Sequence, residues 1–311
     1  MSTINTSEAP TPVTEIKPDA DRPLIWIDGE FVPRSHAKIS VFDHGLLYGD
    51  GCFEGIRAYG GRIFKCKSHI DRFFRSAERI RLTIPYSAGE IDRLMRDSLA
   101  KNNVTDGYIR LVVTRGVGTL GLHPFKCPKP TVFCIADTIS LYPPEMYAEG
   151  MAIIVAKRPR IPIECLDPSI KSLNYLNNIL AKIEAIDAGV LEALMLNTRG
   201  EVAECTGDNV FIIKDGAVTT PALEAGLLDG ITRSFVIDLC RELGISIAER
   251  AIKLDEVTSA DEVFLTGTAA EIIAVKSIDG KPVGDGNGEG PVTKRLRERF
   301  REILAQGAPE D

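Results

Sequence analysis

The sequence predicts an α+β protein of two domains, and three observations carry that reading. Short β-branched runs bounded by turn residues recur along most of the chain. Between them lie stretches whose apolar residues fall at helical spacing. Near the middle, Tyr142-Pro143-Pro144-Glu145-Met146 breaks both patterns, because consecutive prolines cannot continue a helix or a central strand. Strand runs dominate with helices between them, as expected of α+β layers.

The elements follow in order. Leu24–Ile27 reads as a strand, Asp28-Gly29 as a turn, and Phe31-Val32 as the returning strand. A second hairpin turns at Gly60-Gly61, between Ile56–Tyr59 and Arg62–Lys65. Ile70, Phe73, Phe74, Ala77 and Ile80 share one helical face. Ser87 to Glu90 reads as a capping box, opening a helix with Ile91, Leu94, Met95 and Leu99 inside. Strands at Tyr108–Thr114 and Thr131–Ala136 complete a unit of two helices beside an antiparallel sheet.

The expected division is a loosely ordered tail over 1–21, a small domain over 22–137, a linker over 138–150 and a larger domain over 151–311. In the larger domain Ala152–Ala156 reads as strand. A helix over 174–188 carries Leu176, Ile179, Leu180, Ile183 and Ile186 on its apolar face, with Gly189 as its C-cap. Turns fall at Thr198-Arg199-Gly200, Asp215-Gly216 and Asp279-Gly280. Helices are expected over 232–243 and 292–305, and a strand at Glu262–Leu265.

Composition narrows the function. A formal charge of −7 leaves no surplus for a wide basic face, which argues against nucleic acid as a partner. No stretch reaches the ~18 apolar residues of a membrane span. The polar start lacks the basic and apolar parts of a secretory signal. The seven cysteines contain no CxxC pair and the four histidines no HxH or HxxxH spacing. A reducing cytoplasm and chemistry without a metal are the expectations.

The chemistry-bearing candidates are few. Lys171 precedes the 174–188 helix in Ser169-Ile170-Lys171-Ser172-Leu173-Asn174-Tyr175. A lysine there is usually a solvated surface residue, although a Schiff-base lysine needs such a semi-enclosed position to present a neutral amine. Glu201 to Phe211 places carboxylates beside a small-residue turn. Arg199-Gly200-Glu201 reads as an exposed turn, which leaves Glu204 and Asp208 as the sharper candidates. Gly230-Ile231-Thr232-Arg233 opens a helix, and Gly267-Thr268-Ala269-Ala270 follows an apolar strand. Such turns bind phosphate through free backbone N–H groups, although each alone is more often an ordinary cap. Arg72 is a suitable phosphate partner, though an arginine on an amphipathic helix is usually solvated.

Taken together, these segments resemble the class IV aminotransferases, the fold-type IV pyridoxal-phosphate enzymes, and most closely their branched-chain amino acid branch. The matching stretches include Phe42-Asp43-His44-Gly45, Phe53-Glu54-Gly55-Ile56-Arg57, His69-Ile70-Asp71-Arg72 and Tyr108-Ile109-Arg110. They continue through Lys171-Ser172-Leu173-Asn174-Tyr175-Leu176, Glu204 to Asn209, Gly230 to Arg233 and Gly267 to Ile272. The resemblance covers roughly 24–305. It implies a small N-terminal α+β domain and a larger domain with a pseudo-barrel of mixed strands.

The resemblance also implies roles. Lys171 holds pyridoxal 5′-phosphate as a Schiff base and shuttles the proton between Cα and C4′. Glu204 pairs with the ring nitrogen and Tyr175 with the phenolic oxygen. Arg72, Ile231, Thr232 and Thr268 bind the phosphate. Asn209 and Gly267 border the cofactor, and Asp208 supports it. Tyr48, Phe53, Gly55, Tyr108, Thr268 and Ala269 line the substrate pocket, where Arg110 accepts the side-chain carboxylate of glutamate. The expected partners are amino acids and 2-oxo acids: Leu, Ile or Val exchanging with 2-oxoglutarate. Relatives are homodimers or larger, which assigns Tyr48 and the 116–124 loop to an interface with a second copy. D-amino-acid aminotransferase, aminodeoxychorismate lyase and amine transaminase share the fold and are the rival activities. A cofactor-binding protein without turnover would show damage at the lysine, the carboxylate or the phosphate turns, and the sequence shows none.

Overall fold

The computed structural model describes residues 21–138, 142 and 144–311. The tail expected over 1–21 therefore lies outside the described residues except for Asp21, as do 139–141 and 143 of the expected linker.

Ile25–Ile27 (β1) and Glu30–Val32 (β2) form the first hairpin, followed by the short helix His44–Tyr48 (α1). Gly51–Tyr59 (β3) returns as Arg62–Ile63 (β4). The turn uses Gly60 and Gly61, whose φ values of 54° and 79° suit glycine. Cys66–Arg79 (α2) and Ala88–Asn102 (α3) come next, and α3 opens on the capping box formed by Ser87 and Glu90. Gly107–Thr114 (β5) and Thr131–Asp137 (β6) complete an antiparallel sheet of order β2-β1-β6-β5-β3-β4.

Strand alternation decides what each face of this sheet does. Cys52, Ile56 and Ala58 of β3, with Ile109, Leu111 and Val113 of β5, are buried in one cluster with Ile70, Phe73 and Ala77 of α2 and Ile91, Leu94 and Met95 of α3. Phe53, Gly55, Tyr108 and Arg110, one residue out of phase, consequently belong to the opposite face. Cys52 is a small buried hydrophobe whose thiol burial pushes up to about 12.

The second sheet is built from Met151–Val155 (β7), which follows the helix Pro144–Glu149 (α4), and from strands after the helix Leu176–Asp187 (α5). These are Glu192–Leu196 (β8), Val202–Cys205 (β9), Asn209–Lys214 (β10) and Ala217–Pro221 (β11). Ile231–Glu242 (α6), Ile247–Arg250 (β12) and Leu254–Thr258 (α7) follow. Glu262–Gly267 (β13), Glu271–Ile278 (β14), Lys281–Pro282 (β15) and Pro291–Ala305 (α8) end the chain.

The order is β12-β11-β10-β13-β14-β7-β8-β9, with β15 on β14. β7 runs parallel to both β8 and β14, and β11 runs parallel to β12. Near the far end the sheet curls back: Val202 N donates to Ile252 O at 2.8 Å. Val210, Leu265, Ile273 and Val202 fill the inside of the curl. The alternate residues Phe211 and Phe264, stacked with centroids 4.7 Å apart, pack outward in the cluster that holds α6 and α8. This mixed, curled sheet beside the antiparallel one is the expected fold-type IV arrangement.

Three expectations change. The expected linker contains α4, because a proline whose missing N–H is needed by no bond can open a helix. The C-cap of α5 is Ala188, with Gly189 just beyond it at φ 75°. Most consequential is the orientation of α5. Its inward face is the small stripe Asn178, Ala181 and Ala185, whose alanines pack with Ala193 and Met195 of β8. Leu176, Ile179, Ile183 and Ile186 are exposed. Both stripes have helical spacing, and the alanines win because they let α5 approach the sheet closely.

Candidate active site

The Lys171 segment is tied alongside β3. Phe53 N donates to Lys171 O at 3.0 Å and Leu173 N to Gly51 O at 2.9 Å, while Lys171 N donates to Ser76 Oγ of α2 at 3.2 Å. These bonds fix the lysine backbone before α5 begins. Lys171 Nζ then lies 3.2 Å from Tyr175 Oη and 4.7 Å from the Phe53 ring centroid.

Arg110 approaches the same ring: its guanidinium carbon is 4.5 Å from the Phe53 centroid, and its Nη2 donates to Tyr108 Oη at 3.1 Å. Gly55 lies opposite Arg110 in the β3–β5 register. A Cβ there would be 1.8 Å from Tyr108 Oη, so this place on the strand must be glycine for Tyr108 to keep its position. Burial pushes the Tyr108 phenol upward, keeping it a neutral donor.

A cavity of about 380 Å³ joins the two sheets. Gly55, Tyr108, Arg110, Lys171 and Tyr175 border it on one side, and Thr268 and Ala269 of the β13–β14 turn on another. Lys182, Glu192 and Asp208 bring charged groups to its remaining wall, beside Ile179 and Ala270. Burial pushes the Asp208 carboxyl up to about 7, and the neighbouring Glu192 charge adds to that against a smaller opposing effect of Lys182. Tyr48 is not in this wall; its Oη accepts from Gly121 N at 2.9 Å, within the 116–124 loop.

Glu204 sits on β9, 5% exposed. Arg160 Nε donates to its Oε1 at 2.8 Å, and Leu228 N donates to its Oε2 at 3.0 Å. Asn209 Nδ2 lies 3.4 Å from the same Oε2 and donates to Leu228 O at 3.0 Å. Two glycines allow these side chains their space. A Cβ on Gly230 would be 2.0 Å from Asn209 Oδ1, and one on Gly267 would be 1.9 Å from Asp208 Oδ1.

Arg72 is buried rather than solvated. Its Nε and Nη2 donate to the two oxygens of Glu54 at 2.8 and 2.7 Å, and Nη1 donates to Asp229 O at 2.7 Å. Burial works against the Glu54 charge, but Arg72 and His69 outweigh it and hold the carboxyl far below its usual range. Burial pushes His69 down, so its ring is neutral. The Asp229 contact brings Arg72 to the start of α6, where Gly230 is the N-cap and no side chain caps the first N–H groups, those of Ile231 and Thr232 among them. Glu201, by contrast, bonds with Arg199 and Asn197 at an exposed turn.

Sequence reasoning does not single out Glu54, His69 or Arg160. For Glu54 a signal exists: it shares the buried face of β3 with Cys52, Ile56 and Ala58, an odd place for a lone carboxylate. Arg160 follows Lys157-Arg158-Pro159 in a segment without periodicity, and nothing there marks it.

The residues fit pyridoxal phosphate by the chemistry of their donor set. A lysine amine faces a phenol, a buried carboxylate accepts from an arginine, and a second arginine reaches an uncapped helix N-terminus. The model of the class IV aminotransferase family matches residues 51–278. A putative branched-chain-amino-acid aminotransferase of Methanocaldococcus jannaschii is 50% identical over 279 residues, covering 90% of this chain and 96% of its own. A D-alanine aminotransferase of Listeria monocytogenes is 37% identical over 289 residues, covering 92% and 98%. Among solved structures, the branched-chain amino acid aminotransferase of Escherichia coli superposes with a TM-score of 0.89 at 35% identity, covering 93% of this chain and 96% of that one. The branched-chain amino acid aminotransferase of Thermobaculum terrenum, in its pyridoxal-phosphate holo-form, gives 0.83 at 31% identity, covering 94% and 96%.

Proposed function

The chain belongs to the class IV aminotransferases, which are pyridoxal-phosphate-dependent enzymes, and from that premise we propose that it exchanges amino groups between L-leucine, L-isoleucine or L-valine and 2-oxoglutarate, with Lys171 as the point of covalent attachment. The observation that carries the reading is the pairing of Phe53 and Arg110 beside Lys171. An aliphatic side chain needs an apolar wall and 2-oxoglutarate needs a cation, and one pocket must accept both in turn. Arg110 rests on the Phe53 ring and Tyr108 Oη, positioned to swing toward a carboxylate when one enters.

Bound pyridoxal phosphate supplies an electron sink for the Cα carbanion. The chain's residues do the rest. Lys171 Nζ would be the base that takes the Cα proton and returns it, with Tyr175 Oη within hydrogen-bond reach to orient it. Glu204 would face the ring nitrogen, and the Arg160 Nε contact holds the Glu204 carboxylate in place. Arg72, the N–H groups of Ile231 and Thr232, and Thr268 take the phosphate. Asn209 and Gly267 shape the floor, and Asp208 supports them. Branched side chains that differ by a methyl group differ by only about 1–3 kcal/mol in an apolar pocket, so broad use of all three is expected.

Two large apolar surfaces support a homo-oligomer. One is the exposed stripe of α5; the other gathers Phe42, Leu46 and Leu47 around α1 with Leu120, Leu122 and Phe125 of the facing loop. Tyr48 lies in the second and reaches the site through a second copy. No helix among the described residues is long and apolar enough to cross a membrane. Seven free cysteines suit the cytoplasm.

The test is a comparison of steady-state turnover with 2-oxoglutarate for the three branched L-amino acids and D-alanine. Turnover of the L-amino acids with none of D-alanine supports the reading. The reverse preference assigns the chain to the activity of its Listeria relative.

A further inference from the structure

We propose that Glu54 is a positioning residue for the cofactor's phosphate, acting through Arg72; the inference rests on the placement of Arg72 at the phosphate given above. Glu54 is 0% exposed and Arg72 2%, and Glu54 shares its strand face with the buried hydrophobes Cys52, Ile56 and Ala58. A buried ion pair is no better for stability than apolar residues filling the same volume, because two charges must be stripped of water. Stability alone therefore does not account for its presence here.

The geometry shows what it does. A guanidinium has five N–H donors in one plane. Both Glu54 oxygens receive one each, from Nε and Nη2, and Asp229 O receives a third from Nη1. A two-point contact fixes the plane of the fork, which a single contact leaves free to rotate. The two N–H groups left over are thereby aimed from a fixed plane beside the start of α6. His69 fixes the carboxylate in turn: its Nδ1 is 2.8 Å from Glu54 Oε2, and as the carboxylate can only accept, the nitrogen donates. His69, Arg72 and Ser76 lie on one face of α2, and Ser76 accepts from Lys171 N. One helix face thus sets both the phosphate arginine and the lysine backbone.

Two physical effects of removing Glu54 have opposite signs. Loss of a negative charge leaves Arg72 unneutralised, which by itself tightens an anion. Loss of the fork contact frees the guanidinium to turn away, which weakens it. The proposal commits to the second as the larger.

The experiment compares the apo forms of the native protein, Glu54→Gln, Glu54→Asp and Arg72→Ala in equilibrium binding of pyridoxal phosphate and of pyridoxal. Both aldehydes reach Lys171, so their ratio isolates the phosphate, and a general packing defect moves both alike. Glu54→Gln is expected to weaken pyridoxal phosphate roughly tenfold or more, the scale of a charge-assisted hydrogen bond, and to leave pyridoxal within about twofold. Glu54→Asp keeps the charge but is one methylene too short to reach both nitrogens; it is expected to show the same selective loss, and it serves if the glutamine variant does not fold. Equal losses for the two aldehydes, or tighter pyridoxal phosphate in Glu54→Gln, would overturn the proposal while Arg72→Ala still shows selective loss. If Arg72→Ala itself shows none, the phosphate assignment fails first and the role of Glu54 falls with it.

Discussion

Arg160 Nε donates to Glu204 Oε1 at 2.8 Å, with side-chain exposures of 8% and 7%. A polar group buried to that degree needs a hydrogen-bonding partner, and Arg160 is the one cation within salt-bridge distance of Glu204 among the described residues. Replacing Arg160 by Leu is therefore expected to lower kcat/KM by roughly ten- to a hundredfold, the worth of a charge-assisted hydrogen bond expressed as a rate. Glu204→Gln should lower it at least as far. Steady-state kinetics on the reconstituted variants check both, and an Arg160→Leu enzyme of native kcat/KM would show that Glu204 needs no such support.

Gly55 and Tyr108 give a steric prediction. Ala at position 55 places Cβ 1.8 Å from Tyr108 Oη, so the phenol must move and take its contact with Arg110 along. Gly55→Ala is expected to lose more than about tenfold in kcat/KM for 2-oxoglutarate. Adding Tyr108→Phe removes the closest atom and should recover thermal stability lost to the clash, without recovering the contact to Arg110. Thermal melts and kinetics on the single and double variants separate the two effects.

A pH dependence follows from Asp208. Its carboxyl titrates near 3.8 when unfolded and is raised to about 7 in the fold, first by burial and then by Glu192. Between those values the native state holds a proton that the unfolded state has released. This group's contribution to stability is thus whole below about 3.8, falls as pH rises toward 7, and is flat above. Glu54 acts in the opposite sense: its lowered value contributes stability above 4.5 that is lost on acidification. Asp208→Asn cannot titrate, so its melting temperature should gain on the native protein as pH rises through that window. A difference that stays constant with pH would refute the assignment.

The apolar stripe of α5 predicts an assembly effect. Ile183→Asp puts a charge on an exposed surface of one chain, where it costs the fold little, but inside an interface, where it costs several kcal/mol. Sedimentation should show a smaller species than the native protein, with the circular dichroism unchanged. An unchanged sedimentation coefficient would place the interface elsewhere.

How far the sequence could be read differs between fold and site. Period-2 strands, the Gly60-Gly61 hairpin and the Ser87–Glu90 capping box follow local rules, and the structure has each where those rules put it. The α5 orientation was not legible, because Leu176, Ile179, Ile183 and Ile186 form as regular a stripe as Asn178, Ala181 and Ala185, and hydrophobicity alone selects the wrong one. Among the candidate residues, Lys171 and Thr268 stand beside recognisable turns, and the structure brings both to one cavity. The partners behind them follow less directly: strand alternation marks Glu54 as buried, but its contact to Arg72 and that of Arg160 to Glu204 span 18 and 44 positions and exist only after the sheets and α2 are assembled.

Reduction with borohydride tests the central claim most directly. Treating the protein bearing pyridoxal phosphate fixes a phosphopyridoxyl group onto the lysine that holds it, and peptide mass mapping locates that lysine. The account predicts the label on Lys171, within Ser169 to Tyr175, and its loss when L-leucine is added before the reductant. A label on a different lysine, or one on Lys171 that L-leucine leaves in place, would contradict it.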